Sequence, residues 1–269
     1  MPARTSIALV AFVLIAMEPL PAQDQPKGAV AAAPIATDRP SVTDSSVVVP
    51  TGSIQVENGF LDSSSQALRT LDGPESLIRF GLLSKTELRF YVPDYYYNQT
   101  MGLNAGPMPG AGFGDMAIGV KQQLGPTPGR FDVSVVFYLS MPTGARAISS
   151  HGYDPAVQVP WSRALTPKWG LGGMLSLYCP TQDGRRNFTF EPTIVLNRQL
   201  TGPWSAFAEY AGDFSQRGGP RDLLHFGTAL TISPQQQLDF HAGVGSLAGT
   251  TYYLLGFGYS FRIQAIRQR

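Results

Sequence analysis

The sequence predicts an all-β protein, a transmembrane antiparallel up-and-down β-barrel of about 12 strands, of the kind the bacterial outer membrane holds. Three observations lead there. Only 14% of the 269 residues are charged, against about 25% in an average soluble chain. Gly (29) and Pro (22) are both frequent and divide the chain into short alternating segments, which favours strands over helices. Finally, no segment beyond the N-terminus nears the roughly 20 apolar residues of a spanning helix, so a closed barrel is the remaining way to cross a bilayer.

The N-terminus reads as an export signal over residues 1–22. Arg4 gives the positive start, Ser6 to Met17 an apolar run, and Leu20-Pro21-Ala22 a small residue at the expected cleavage point. That apolar run is too short for a membrane anchor. Residues 23–52 form a leader: Gln23 to Ala36 is small and aperiodic, and Thr37 to Pro50 holds Asp38, Arg39, Pro40 and Asp44 before any strand begins. This stretch is expected to fold back into the barrel mouth as a partial plug, with a periplasmic tether or assembly element as the alternative. The barrel is placed at 53–262 and a basic tail at 263–269 (Ile263 to Arg269).

Alternation places strands at 53–61, 75–83, 85–93, 113–123, 131–141, 153–163, 169–178, 187–197, 203–212, 223–232, 236–245 and 252–262. Most are 9–11 residues long, the length a tilted strand needs to cross a bilayer. In the stretch 236–245, Leu238, Phe240, Ala242 and Val244 oppose Gln237, Asp239, His241, Gly243 and Gly245. In the last stretch, Tyr253, Leu255, Phe257, Tyr259 and Phe261 oppose Gly256, Gly258, Ser260 and Arg262. One apolar face against one of Gly, Ser, Thr and scattered charge is the lipid-outward, lumen-inward pattern of membrane barrels.

A soluble β-sandwich has the same alternation with its apolar face inward. Connection lengths separate the two. Short turns (Ser84, 124–130, 164–168, 198–202, 233–235) alternate with longer polar loops (62–74, 94–112, 142–152, 179–186, 213–222), as in a barrel with a turn side and a loop side. Aromatics near strand ends, among them Tyr95, Tyr97, Trp169, Trp204 and Tyr253, suit the headgroup layer. The single cysteine, Cys179, has no intrachain partner, so no disulfide framework exists.

Several short motifs together resemble a known family. They are Thr37-Asp38-Arg39-Pro40, Val49-Pro50-x-Gly52, Gln55-x-Glu57-x-Gly59, Arg79-Phe80-Gly81-Leu82 with Thr86-Glu87-Leu88-Arg89, Gly114-Asp115 with Gly119-Val120-Lys121, Leu139-Ser140-Met141-Pro142-Thr143-Gly144, and the closing Gly256-x-Gly258-Tyr259-Ser260-Phe261. The set is similar to the outer-membrane transporter family named for the MetA pathway of phenol degradation. The resemblance spans nearly all of the mature chain. It implies an outer-membrane barrel with a role in uptake of small aromatic or hydrophobic compounds. The chain departs from many barrels at its end, where Phe261 is followed by RIQAIRQR instead of closing on the aromatic that the barrel-assembly machinery reads.

A Lys or Arg facing lipid at mid-bilayer costs about 2–4 kcal/mol, so charged residues on the polar faces should point into the lumen. The lumen-lining candidates are Glu57, Arg79, Glu87, Arg89, Asp115, Lys121, Asp132, Glu191, Glu209, His225, Asp239 and His241. They either line a solute path or pair across strands to fill a narrow barrel. His225 is expected opposite Glu209, whereas His225 and His241 are expected several residues apart, too far to share a metal. No G-x-S-x-G occurs, and neither Gly110-x-Gly112-x-Gly114 nor Gly256-x-Gly258 opens a helix. The sequence therefore calls for no catalysis, no metal and no cofactor. A net charge of +1 gives no basic surface for nucleic acid. The expected partners are outer-membrane lipid, the assembly machinery and a small aromatic or hydrophobic solute. The other reading is a structural or adhesive barrel acting through its extracellular loops, especially 94–112.

Overall fold

The computed structural model describes residues 34–101 and 110–266. The signal peptide, residues 23–33 of the leader, the tip of the 94–112 loop and the last three residues of the tail lie outside the described residues.

The chain forms strands β1 (Ser53–Ser65), β2 (Leu68–Gly73), β3 (Leu77–Leu83), β4 (Thr86–Tyr91), β5 (Tyr95–Thr100) and β6 (Gly112–Phe113). Next come β7 (Met116–Gln123), β8 (Asp132–Met141), β9 (Asp154–Ala164), β10 (Trp169–Tyr178), β11 (Thr181–Gln182) and β12 (Arg185–Arg186). The last five are β13 (Thr189–Gln199), β14 (Trp204–Ser215), β15 (Pro220–Ser233), β16 (Gln236–Leu247) and β17 (Thr250–Gln264). Twelve of them, β1, β3, β4, β7, β8, β9, β10 and β13 to β17, follow one another around a single antiparallel sheet. The sheet closes on itself through β17, which pairs with β1 from Ser53↔Gln264 to Ser65↔Tyr252. Closure leaves the wall no unpaired edge strand, which an open sheet in lipid could not avoid.

The faces are inside-out relative to a soluble protein. Leu255 is 66% exposed, Leu177 59% and Phe240 51%, all on the outer face, whereas Glu57, Arg79, Glu87 and Lys121 are fully buried. Monomeric soluble chains rarely expose an apolar surface of that extent; in a bilayer it is the apolar belt. Trp169 and Trp204 at the turn end, and Tyr95, Tyr97 and Tyr253 at the loop end, are exposed beside that belt, where amphipathic rings favour the headgroups. The chain is an outer-membrane β-barrel.

Two expectations about the loop side change. The stretches 62–74 and 94–112 are not simply loops. β2 pairs with the upper half of β1, β5 pairs with β2, and β6 pairs with β5, so the wall rises above the belt over breaks at 74–76, 92–94 and 114–115. The stretch 213–222 likewise shrinks to 216–219 between β14 and β15. Above the lipid both faces of a strand meet water, so the alternation that marks a strand disappears there. At the other end β17 continues to Gln264, two residues into the expected tail.

Candidate functional site

The lumen is occupied by the segment 34–52, and the sequence of that segment dictates its course. It enters at the turn end, where the Ile35 N–H donates to the Pro234 carbonyl (2.8 Å) between β15 and β16. It leaves at the same end through Gly52, whose N–H donates to the Gly81 carbonyl (2.7 Å). Gly52 has φ +74°, and a Cβ there would stand 2.7 Å from the Ile266 carbonyl oxygen; only glycine turns this corner without strain. Gly59, Gly81 and Gly258 clear the path between. A Cβ on Gly59 or Gly258 would overlap the Arg39 guanidinium, and one on Gly81 would overlap the Val49 and Pro50 carbonyls.

On one wall the segment is anchored by buried charge. Arg79 pairs with Glu57 (2.9 Å), Glu87 (2.9 Å) and Asp38 (3.3 Å). Arg89 pairs with Asp38 at 2.6 Å and lies 3.1 Å from Asp44, while Lys121 reaches Asp38 at 3.2 Å. Asp38 of the segment thus sits among three cations carried by β3, β4 and β7. Burial pushes its carboxyl upward, but Arg79, Arg89 and Lys121 outweigh that and hold it well below the ordinary carboxylate range. Glu57 also accepts the Asp38 and Arg39 N–H groups (2.8 and 3.1 Å), and Glu87 accepts the Val49 N–H (2.7 Å). Such a cluster is tolerable in a low-dielectric interior only because nearly every charge has a partner.

The opposite wall holds the segment differently. Glu209 on β14 accepts the Val42 N–H (2.8 Å), the Thr43 N–H (2.8 Å) and the Thr43 hydroxyl (2.6 Å). Its other neighbour is His225 Nδ1 at 3.0 Å. His225 Nε2 meets His241 Nδ1 at 2.9 Å, and His241 Nε2 lies 3.3 Å from an Arg39 guanidinium nitrogen. Arg39 in turn pairs with Glu75 and with Asp239 (3.4 Å). A continuous polar chain therefore runs from Glu209 across two histidines to the base of the segment's tip.

Two cavities flank that tip and share Arg39, Pro40 and Ser41. The turn-end cavity, about 270 Å³, is lined by Ser46, Ser162, Asn197, Ser205 and Gln237. The loop-end cavity, about 290 Å³, is lined by Val42, Leu61, Leu223 and Leu254 together with Glu191 and Asp213.

The expected lumen residues separate into groups. Glu57, Arg79, Glu87, Arg89 and Lys121 converge in the anchor, and Glu209, His225, Asp239 and His241 in the chain opposite. Glu191 lines the loop-end cavity and accepts the Tyr178 hydroxyl at 3.1 Å. Asp132 is half-buried near the turn end, opposite Ser162. Asp115 departs from expectation: it organises the 142–153 loop, accepting the Gly144 and Ser150 N–H groups at 2.8 and 2.9 Å. It stands at the break between β6 and β7, where the lumen face gives way to loop.

His225 lies opposite Glu209 as expected, but its separation from His241 is corrected. The turn is Pro234-Gln235, and a bulge between Thr231 and Ser233 shifts the pairing, so His225 faces Gly243 and His241 faces Gly227. The two rings then meet across the diagonal, with centroids 5.0 Å apart. Among the described residues no three His, Cys, Asp or Glu side chains converge as metal ligands. Sequence reasoning missed Arg39, Asp38 and Thr43 as individual contacts, although the first two stand in the motif that carried the resemblance.

The fold has solved counterparts. The COG4313 outer membrane channel from Pseudomonas putida F1 superposes with a TM-score of 0.65 at 12% identity, over 81% of this chain and 97% of that one. The NanC porin does so at 0.53 and 10%, over 78% and 100%. The KdgM porin does so at 0.50 and 11%, over 76% and 99%. No curated protein matches the sequence. Residues 37–263 match the family model described as "Putative MetA-pathway of phenol degradation"; they begin at the segment that fills the lumen and end on the strand that closes the barrel, and the chain belongs to that family.

Proposed function

We propose that the protein is a channel for small aromatic or otherwise apolar solutes, and that the segment 34–52 is the plug that closes it. The turn end, where both ends of the barrel sheet lie, faces the periplasm, and the loop end faces outward. The observation that carries this reading is the pair of cavities that flank the tip Pro40–Thr43 and share Arg39, Pro40 and Ser41 in their linings. Passage from one to the other requires a small displacement of that tip, not a rearrangement of the wall. The family's description supports the solute class, since phenol is a small aromatic. The lumen charges carry both signs, which disfavours strong selection for ions.

Liposome swelling tests the proposal. Vesicles holding the mature barrel should admit a small uncharged aromatic faster than empty vesicles, and deletion of 37–50 should raise the rate further. A barrel that stays sealed to every solute, with and without the segment, would refute transport and favour the structural or adhesive role. Unchanged flux on deletion would refute the plug alone.

A further inference from the structure

A barrel lumen is ordinarily polar throughout, yet one patch of this inner wall is apolar. Ala211 on β14, Leu223 on β15, and Tyr252 and Leu254 on β17 are buried together, with Leu61 and Val42 packed against them. The inner face of β16 explains how. It runs Gln237, Asp239, His241 and then Gly243 and Gly245. A Cβ at Gly243 would stand 2.8 Å from Leu223 Cδ1 and 3.1 Å from Leu254 Cγ, and one at Gly245 would meet the Tyr252 ring. The two glycines are the floor on which larger apolar chains from β15 and β17 lie flat, forming a ledge on the loop-end side of the plug tip.

Beside this ledge, next along the inner faces of β14 and β13, two carboxylates line the same cavity, Asp213 and Glu191. Asp213 Oδ1 is buried without a hydrogen-bond partner. The nearest cation, Arg221, stands opposite Asp213 in the register and lines the same cavity, but makes no hydrogen bond to Asp213 Oδ1. Its Nε donates to the Tyr252 hydroxyl at 2.9 Å, and its guanidinium lies 4.7 Å over the Tyr252 ring. The volume, about 290 Å³, exceeds the roughly 150 Å³ that a benzene-sized guest occupies in an apolar protein cavity.

We infer that this cavity is a binding site for a small amphipathic molecule: an apolar body of about one ring laid on Leu223, Leu254 and Tyr252, with an N–H or O–H donor directed at Asp213 and Glu191. The ledge supplies affinity through area removed from water, and the unpartnered Asp213 Oδ1 chooses among heads. A bare hydrocarbon leaves Asp213 Oδ1 without a partner, and a carboxylate head offers it no donor. The site lies on the solute path proposed above and rests on that reading.

Four probes share one ring and differ in the head: benzylamine, benzyl alcohol, toluene and benzoate. Their binding is measured by saturation-transfer NMR on the mature barrel in nanodiscs, with empty discs subtracted. Benzylamine and benzyl alcohol should bind about tenfold or more tighter than toluene, and benzoate weakest. The double variant Glu191→Gln with Asp213→Asn should collapse that order while toluene is unchanged. Leu254→Ala should weaken all four. Benzoate equal to benzylamine, an order untouched by the double variant, or no binding at all would overturn the site. Flux measured in parallel separates the two claims: flux without binding removes the site and leaves the channel, and binding without flux does the reverse.

Discussion

The contact that most directly tests the plug is Glu209, and its effect can be worked out from the hydrogen bonds it receives. Its side chain is fully buried and accepts two backbone N–H groups and one hydroxyl from Val42 and Thr43. Glu209→Ala removes every one of those acceptors, and beyond them only the partner of His225, which leads through His241 to Arg39. A buried donor left unpaired costs about 1–3 kcal/mol, so two orphaned amides put about 2–6 kcal/mol on the seated tip. The adjoining cavities admit water that re-satisfies part of this, which sets the net shift near the lower end, about 2 kcal/mol or roughly thirtyfold in the ratio of seated to released tip. Glu209→Gln keeps one acceptor oxygen and should fall between. Planar-bilayer recording reads the result: Glu209→Ala should show frequent openings where the unaltered barrel shows few, while a gel shift on heating confirms an intact barrel. Identical conductance and opening frequency in an intact Glu209→Ala barrel would mean that the tip is not held by this carboxylate, and the latch would be abandoned.

Three further outcomes follow from the same geometry. Arg79→Met takes from buried Glu57 its ion-pair partner and leaves Glu87 and Asp38 to Arg89 and Lys121 alone, and breaking a buried pair costs about 3–5 kcal/mol; the temperature at which the heat-resistant barrel band disappears should fall markedly, and an unchanged temperature would contradict the anchor. Asp38, held below its ordinary value of 3.8 by three cations, contributes stability that is fully present above that value and is lost only as pH falls through the depressed one. Protection of the 34–52 segment from protease should therefore persist from neutral pH down to about 4, whereas Asp38→Asn should lose it at neutral pH, and loss of protection in the unaltered chain above 3.8 would contradict the assignment. Leu255→Arg, on the outer face, costs about 2–4 kcal/mol if it lies at the bilayer centre and should lower the folded yield in vesicles, with no loss of yield counting against that face as lipid-facing.

The barrel was legible in the sequence because the two faces of each spanning strand meet solvents of opposite preference. Leu238, Phe240 and Val244 against Gln237, Asp239 and His241 needs no tertiary information. The same logic fails in two places for physical reasons. Above the belt, in 68–73 and 95–100, the outer face no longer meets lipid tails, so real strands carry no apolar–polar alternation in their sequence. At Leu223, Tyr252 and Leu254 the inner face is itself apolar, because Gly243 and Gly245 leave room for these larger side chains to pack against one another. The site was legible as a list of charges but not as a set of partners. Which carboxylate meets which cation depends on the 34–52 segment threading back through the barrel, and a one-residue bulge near Thr231 decides whether His225 and His241 touch.

The two attachments of the plug are not equivalent, and the difference says which part moves. The anchor joins the segment to β1, β3, β4 and β7 through charges that would repel or be left uncompensated if Asp38 withdrew, so releasing that wall carries a penalty to the barrel itself. Both ends of the segment are also fixed, at Pro234 and at Gly81. The tip facing β14 is held by neutral donors on one carboxylate, bonds that water in the cavities can replace, so opening is expected to be a withdrawal of Pro40–Thr43 from Glu209. A cross-link distinguishes this from loss of the whole segment. Thr43 and Thr193 face each other with hydroxyl oxygens 2.5 Å apart, close enough for a disulfide between cysteines placed there. In a Glu209→Ala background with Cys179→Ser, Thr43→Cys and Thr193→Cys, oxidation should return the raised flux to the unaltered level, and reduction should restore it. If the oxidised barrel still leaks at the Glu209→Ala rate, solute is passing somewhere other than beneath the tip, and the opening lies at the anchored wall instead.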